Sequence, residues 1–164
     1  MQSKLFAISA SAFMALIVGC GGTTPSATAQ SPSPAASPSP SASAETIKVA
    51  TDAKLGQILV DEEGKTLYLF VADKGTASTC YTSCATIWPP VLTTGAPQAE
   101  GGAKASLLGT TTRTDGKVEV TYAGHPLYYF IQDKKVGDTT GQGVNGFGAL
   151  WWVVSPSGAA ITTK

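Results

Sequence analysis

Charged and metal-binding side chains are scarce in this sequence, and their scarcity excludes several classes of function. Only 13% of the 164 residues are charged, and eleven basic side chains balance eleven acidic ones. That balance argues against a basic nucleic-acid footprint, so no nucleic-acid partner is expected. The single histidine, His125, cannot supply the two that a blue-copper site requires. No histidine beside a nucleophile and an orienting acid is evident, so the chain is not expected to be an enzyme.

The sequence also lacks an apolar run long enough to cross a bilayer. Residues 5–18 form an apolar stretch of fourteen residues after Lys4, whereas a transmembrane helix takes about 20. The stretch has the length of a signal-peptide core, and residues 17–20 (Ile-Val-Gly-Cys) resemble the bacterial lipobox. This resemblance implies cleavage before Cys20 and attachment of a diacylglyceryl group, with palmitate-type chains, to its thiol. Residues 1–19 are therefore predicted to be a lipoprotein signal peptide, and two acyl chains suffice for stable membrane attachment.

A low-complexity segment follows the predicted anchor. Residues 20–45 consist almost entirely of Ser, Pro, Ala, Thr and Gly after Cys20. Such a composition cannot bury an apolar face, so a disordered linker is expected. In an extended conformation it would reach up to roughly 75 Å and would hold the remaining residues, 46–164, away from the membrane surface.

Residues 46–164 are predicted to form a single all-β domain, a compact sandwich or small barrel. About eight short apolar segments alternate with Gly- and Pro-rich turns, and no convincing helix is evident beyond a single turn between Cys80 and Cys84. Residues 93–104 and 137–148 are predicted loops. Alternation of Val118, Val120 and Tyr122 with Glu119 and Thr121 predicts a half-buried strand after an Asp115-Gly116 hairpin turn. The other strands are predicted at residues 46–50, 57–61, 66–72, 109–114, 127–132, 150–154 and 159–162.

One pattern, G-x-x-L-Y-x-F-x-x-D-K, occurs twice, at residues 64–74 and 124–134. Two copies indicate a duplication rather than a solenoid, so two similar hairpin-containing halves are expected, at about residues 56–92 and 107–158. In the first copy, Tyr68 and Phe70 should share one strand face, and Leu67, Leu69 and Val71 the other. The repeated polar and aromatic residues are Tyr68, Phe70, Asp73, Tyr128, Phe130 and Asp133.

The paired motifs, the Cys pair followed by Trp-Pro-Pro, and the lipobox together resemble a known bacterial family. Its members are predicted lipoproteins with a Y-x-(F/W/Y)-x-x-D motif, catalogued as a secreted repeat of unknown function. The resemblance covers roughly residues 56–158. It implies an extracytoplasmic β domain of the cell envelope, and it implies no catalytic site.

The cysteines that remain once Cys20 is lipidated are Cys80 and Cys84. In an exported, oxidising setting a disulfide is expected, and a loop this short would stabilise the fold by about 2 kcal/mol. The alternative is a redox or metal site. The spacing C-x-x-x-C is neither the redox motif C-x-x-C nor half of a zinc site with a second Cys pair.

Five further side chains are candidate ligand contacts. Asp73 and Asp133 are expected to accept backbone N–H bonds from the turns that follow them, and the alternative is paired ligation of a cation such as calcium. His125 lies in a turn, and its functional alternative is a weak metal site. Trp151 and Trp152 should point to opposite strand faces, so that one is exposed to a sugar or a protein partner.

These observations favour a lipid-anchored, extracytoplasmic lipoprotein that acts as a non-catalytic structural or interaction module. No cofactor is expected, and the membrane is the one partner that the sequence indicates, through the lipid anchor. The alternative is a small-ligand or metal-binding envelope protein, with redox traffic as one variant. Convergence of Asp73, Asp133 and His125 in one pocket would favour this alternative.

Overall fold

The computed structural model describes residues 44–163 of the chain. These residues contain nine short strands and one short α-helix, joined by turns and loops. The predicted signal peptide, Cys20 and the linker up to residue 43 lie outside the described residues. The helix α1 is Ser83–Ile87, and a 3-10 turn covers Ala105–Leu107. The strands are β1 Thr46–Asp52, β2 Gly56–Asp61, β3 Tyr68–Phe70, β4 Gln98–Ala99, β5 Leu108–Thr112, β6 Val118–Tyr122, β7 His125–Pro126, β8 Asn145–Gly146 and β9 Ala149–Val153.

The strands form three three-stranded sheets, β2-β1-β4, β3-β9-β8 and β5-β6-β7, so the all-β prediction is confirmed. Within the described part of the chain the sheets do not close into a barrel. All pairs are antiparallel except β1 with β4. None of the helices between residues 44 and 163 has the length and apolar character needed to cross a membrane.

Each half begins with a hairpin that the motif segment then joins. The hairpins are β1–β2 and β5–β6, and the predicted Asp115-Gly116 turn closes the second one. The motif pairs with the second strand of its hairpin in the same way in both halves. The amide of Leu67 donates to the Leu59 carbonyl at 3.1 Å, and the amide of Leu127 donates to the Val120 carbonyl at 3.0 Å.

The last segment of each half pairs with the motif of the other half. The first motif pairs with β9 of the second half, with Leu69 opposite Trp152. In the reverse direction the amide of Tyr129 donates to the carbonyl of Pro89 in the first half, at 2.8 Å. At the centre, Tyr68 and Tyr128 exchange both backbone hydrogen bonds, at 2.9 and 3.0 Å. The contacts between the halves are therefore reciprocal, and the sheet β3-β9-β8 takes strands from both halves.

Two buried clusters lie on opposite sides of the motif strands. Tyr68 and Phe70 belong to one cluster, and Leu67 and Leu69 belong to the other, as the alternation predicts. The expectation for Val71 is wrong, because its side chain is 49% exposed. β3 ends at Phe70 and the chain turns there, which carries Val71 out of the core.

The structure corrects several other strand predictions. β6 does not alternate between buried and exposed residues, because Glu119 and Thr121 are as buried as Val120 and Tyr122, and Val118 is the exposed residue. The predicted strand at 66–72 is shorter, Tyr68–Phe70, with an isolated bridge at Thr66. The strands predicted at 127–132 and 159–162 are wrong, since only isolated bridges at Tyr128 and Ala160 are present there. The predicted loops contain β4 and β8, which gain backbone partners from β1 and β9. The turn between the cysteines continues into α1.

Candidate functional site

The motif tyrosines and aspartates form two reciprocal contacts between the halves. The hydroxyl of Tyr68 donates to Asp133 Oδ2 at 2.6 Å, and that of Tyr128 donates to Asp73 Oδ2 at 2.7 Å. Each tyrosine therefore contacts the aspartate of the other half. Burial raises the pKa of both hydroxyls far above the ordinary value, so both remain protonated donors. We call these contacts the Tyr68–Asp133 joint and the Tyr128–Asp73 joint.

The second oxygen of each aspartate binds a threonine in the turn that follows. Asp73 Oδ1 accepts hydrogen bonds from the amide and hydroxyl of Thr79, both at 2.7 Å. Asp133 Oδ1 accepts from the amide of Thr140 at 2.9 Å and from its hydroxyl. The expected bonds to backbone amides are thus confirmed. Three hydrogen bonds hold each carboxylate in its own joint, and residues 44–163 contain no cluster of three or more metal-ligating side chains.

A stack of four aromatic rings runs between the two joints. Phe70 stacks on Trp151, Trp151 on Trp88, and Trp88 on Phe130, with ring centroids 4.0, 4.0 and 4.1 Å apart. The order alternates between the halves, because Phe70 and Trp88 come from the first and the other two rings from the second. The stack therefore joins the halves through apolar contact where the joints do so through hydrogen bonds.

Trp151 and Trp152 point to opposite faces of β9, as predicted, and belong to different core clusters. The expectation of an exposed tryptophan is wrong, since the two side chains are 0% and 7% exposed. Both faces of β9 are covered, one by the aromatic stack and the other by the core cluster that contains Leu67 and Leu69. Neither indole can serve as an open contact for a sugar or a partner.

His125 lies at the start of β7 and is partly buried. It lines a cleft of about 240 Å³ together with Asp73. The rest of the wall is formed by Leu69, Phe70, Val71 and Ala160. Asp133 does not line this cleft, so two of the three residues whose convergence would favour a ligand site come together.

The Cys80–Cys84 disulfide is present, as predicted. Cys80 is fully buried and directly follows Thr79 of the Tyr128–Asp73 joint. At the corresponding place in the second half, Gly141 follows Thr140. A Cβ atom on Gly141 would lie 2.8 Å from Trp88 and 2.9 Å from Tyr68, so this position has no room for a side chain. The disulfide is thus confined to one joint.

Two segments of the chain, residues 49–92 and 109–155, match the family described as a secreted repeat of unknown function, and together they cover more than half of the chain. The chain belongs to this family. Each matched segment falls in one half and contains one Tyr–Asp motif and one stacked tryptophan. No curated protein and no solved structure matches the chain. The family description indicates an extracellular or envelope location and assigns no activity.

The two copies of the family repeat also differ at a buried ion pair that sequence reasoning missed. Arg113 Nη1 lies 2.7 Å from Glu119 Oε2, and the two side chains are 1% and 0% exposed. The guanidinium also donates to Ser78 Oγ at 2.8 Å and to the Cys80 carbonyl at 2.7 Å. The Tyr81 ring lies 4.4 Å from the guanidinium carbon. Residues 78–81 therefore surround a buried cation.

Glu119 has an unusual environment for a carboxylate. Burial raises its pKa to about 7, against the opposing effects of Arg113 and Ser78. Its Oε1 atom has no hydrogen-bond partner. Leu59 and Val120 accept equivalent hydrogen bonds from the two motifs, so the residue before each is also equivalent. The position that matches Glu119 in the first repeat is therefore Ile58, which is buried in the core. The repeat fold therefore does not require a carboxylate here, and aligning the two repeats would have shown the apolar-to-acidic difference.

Proposed function

We propose that this chain is a lipid-anchored module of the cell envelope that acts through structure and interaction rather than through catalysis. The observation that carries this proposal is the reciprocal Tyr–Asp contact. The hydroxyl and carboxylate groups of the family motif, the most chemically distinctive groups of the repeat, are all engaged inside the fold. The motif therefore serves to fix one half against the other, and partner contacts are left to the outer surface.

The proposed arrangement has three parts: the diacylglyceryl group on Cys20 as the anchor, a linker, and a two-repeat module. The lipobox resemblance and the secreted-repeat family support the anchor and the extracytoplasmic side. A linker that can extend to roughly 75 Å would let the module contact proteins or small molecules well beyond the membrane surface. Cross-repeat pairing holds the two halves of the module together.

Replacing Cys20 tests the anchor. We expect Cys20→Ser to abolish incorporation of radiolabelled palmitate, because the diacylglyceryl group needs the thiol. The matched control is the Cys80→Ser, Cys84→Ser double variant, which should keep its label. Label that persists in Cys20→Ser would contradict the proposal.

A second candidate function is binding of a small ligand or metal ion in the cleft that Asp73 and His125 share. An imidazole and a carboxylate are donors that suit zinc. If the cleft binds zinc, calorimetric titration of the full chain should give one site per chain, lost in His125→Ala and kept in Asp133→Asn, whose carboxylate lies outside the cleft. Absence of heat in the unaltered chain at millimolar zinc would eliminate zinc binding in this cleft.

A further inference from the structure

The two joints provide an internal comparison, because they share their chemistry but not their surroundings. Both consist of a buried tyrosine, an aspartate from the other half and a threonine. The added partner of each tyrosine hydroxyl differs, since the Ser78 hydroxyl lies 2.7 Å from the Tyr128 hydroxyl and the Gly141 amide donates to the Tyr68 hydroxyl at 3.3 Å. Only the Tyr128–Asp73 joint is followed directly by a disulfide.

The loop at residues 78–81 of the first half contacts the Tyr128–Asp73 joint and two neighbouring residues of the second half. Ser78 and Thr79 hold the Tyr128–Asp73 joint through their side chains. Ser78 and the Cys80 carbonyl also accept hydrogen bonds from the buried guanidinium of Arg113. The Tyr81 hydroxyl accepts a hydrogen bond from the amide of Thr114, at 3.2 Å. Any change that frees this loop therefore removes hydrogen-bond partners from the joint and from the buried ion pair together.

We propose that the Cys80–Cys84 disulfide is a redox-sensitive lock on the Tyr128–Asp73 joint and on the adjoining Arg113–Glu119 pair. Opening the disulfide returns conformational freedom to the chain it closes. Residues 78–81 then release Tyr128, Asp73 and the guanidinium, and water reaches the buried pair. Asp133 and Thr140 of the other joint have no cysteine beside them in the chain, and the Tyr68–Asp133 joint stays closed. The inference goes beyond the proposed function and does not depend on lipid attachment.

The chemical step is thiol–disulfide exchange with an extracytoplasmic dithiol. A thiolate of the dithiol attacks the sulfur of Cys84, the more exposed of the two cysteines at 6% against 0%, and a mixed disulfide forms as the Cys80 thiolate leaves. The second thiol of the dithiol then displaces Cys84. Two electrons and two protons pass to the protein, Cys80 and Cys84 end as thiols, and the dithiol ends as a disulfide.

The matched amides of Thr79 and Thr140 test the lock within one molecule, since each donates to the aspartate of its own joint. Hydrogen–deuterium exchange of the full chain is measured before and after reduction by dithiothreitol. We expect exchange at Thr79 to accelerate at least tenfold on reduction and exchange at Thr140 to change less than twofold. Equal acceleration at both amides, or no change at Thr79, would overturn the proposal.

Reciprocity gives a second test, which measures the thiol–disulfide equilibrium of the protein in place of hydrogen exchange. If the disulfide stabilises the joint, the joint must stabilise the disulfide to the same extent. Asp73→Asn should therefore shift the equilibrium with a glutathione buffer several-fold towards the thiols. Asp133→Asn, the same change at the other joint, should leave the equilibrium within twofold of the unaltered chain. Equal shifts in the two variants would refute the lock.

Discussion

Replacing Trp151 with alanine should lower the free energy of unfolding by about 3–5 kcal/mol, a large part of the total for a domain of this size. The indole is fully buried in the middle of the four-ring stack, and its Nε1 donates to the Gly146 carbonyl at 3.1 Å. Truncation would leave a cavity between the halves and would remove ring contacts on both sides. Urea denaturation followed by circular dichroism measures the loss.

Two further variants test whether loss of the ring stack causes the lower stability of Trp151→Ala. Phe147→Ala removes an aromatic side chain from the same β8–β9 hairpin, but Phe147 is 48% exposed, so the expected change is within about 0.5 kcal/mol. Trp88→Ala should destabilise as much as Trp151→Ala, because each indole is stacked between one phenylalanine and the other indole. A loss below about 1 kcal/mol for either tryptophan would show that the stack does not hold the halves together.

Local patterns in the sequence predicted the features that depend on neighbouring residues. The alternation in the first motif places Tyr68 and Leu69 on opposite faces, since strand geometry alone decides this. The bond from the Thr79 amide to Asp73 spans six residues, and the Cys80–Cys84 disulfide spans four. Such short separations leave few alternatives, and both contacts were expected.

Features that depend on contacts between the halves could not be predicted in this way. The repeated motif indicates duplication, but nothing in it specifies that Tyr68 binds the aspartate 65 residues away rather than its own. The burial of Glu119 also depends on contacts between the halves. Its strand alternates as a half-exposed strand should, yet residues 78–81 from the first half cover the polar face together with Arg113.

Breaking the buried ion pair on this polar face is the second change that we expect to destabilise the fold strongly. Arg113→Met should lower the free energy of unfolding by about 3–5 kcal/mol at pH 8, because it leaves the Glu119 carboxylate buried without its partner. Adding Glu119→Ile supplies the residue type that the first repeat has at Ile58. The double variant should recover most of the loss, since a buried ion pair is often no more stabilising than an apolar replacement.

The pH dependence of stability identifies Glu119 as the group involved. Burial raises its pKa in the folded state from 4.5 to about 7, so the folded chain binds this proton more tightly than the unfolded chain does. The free energy of unfolding should then fall as the pH rises from about 4.5 to about 7, by up to about 3 kcal/mol from this group. In the Arg113→Met, Glu119→Ile double variant this part of the slope should disappear.

Urea denaturation at pH 5 and pH 8 measures both effects on the same proteins. Arg113→Met should lose more stability at pH 8 than at pH 5, because at the lower pH the unpaired carboxyl takes up a proton and no longer carries a buried charge. Glu100→Gln, which breaks the exposed ion pair with Lys48, is the control and should change stability by at most about 1 kcal/mol at either pH. Equal losses for Arg113→Met at the two pH values would mean that its effect comes from lost packing against Tyr81 and not from the charge of Glu119.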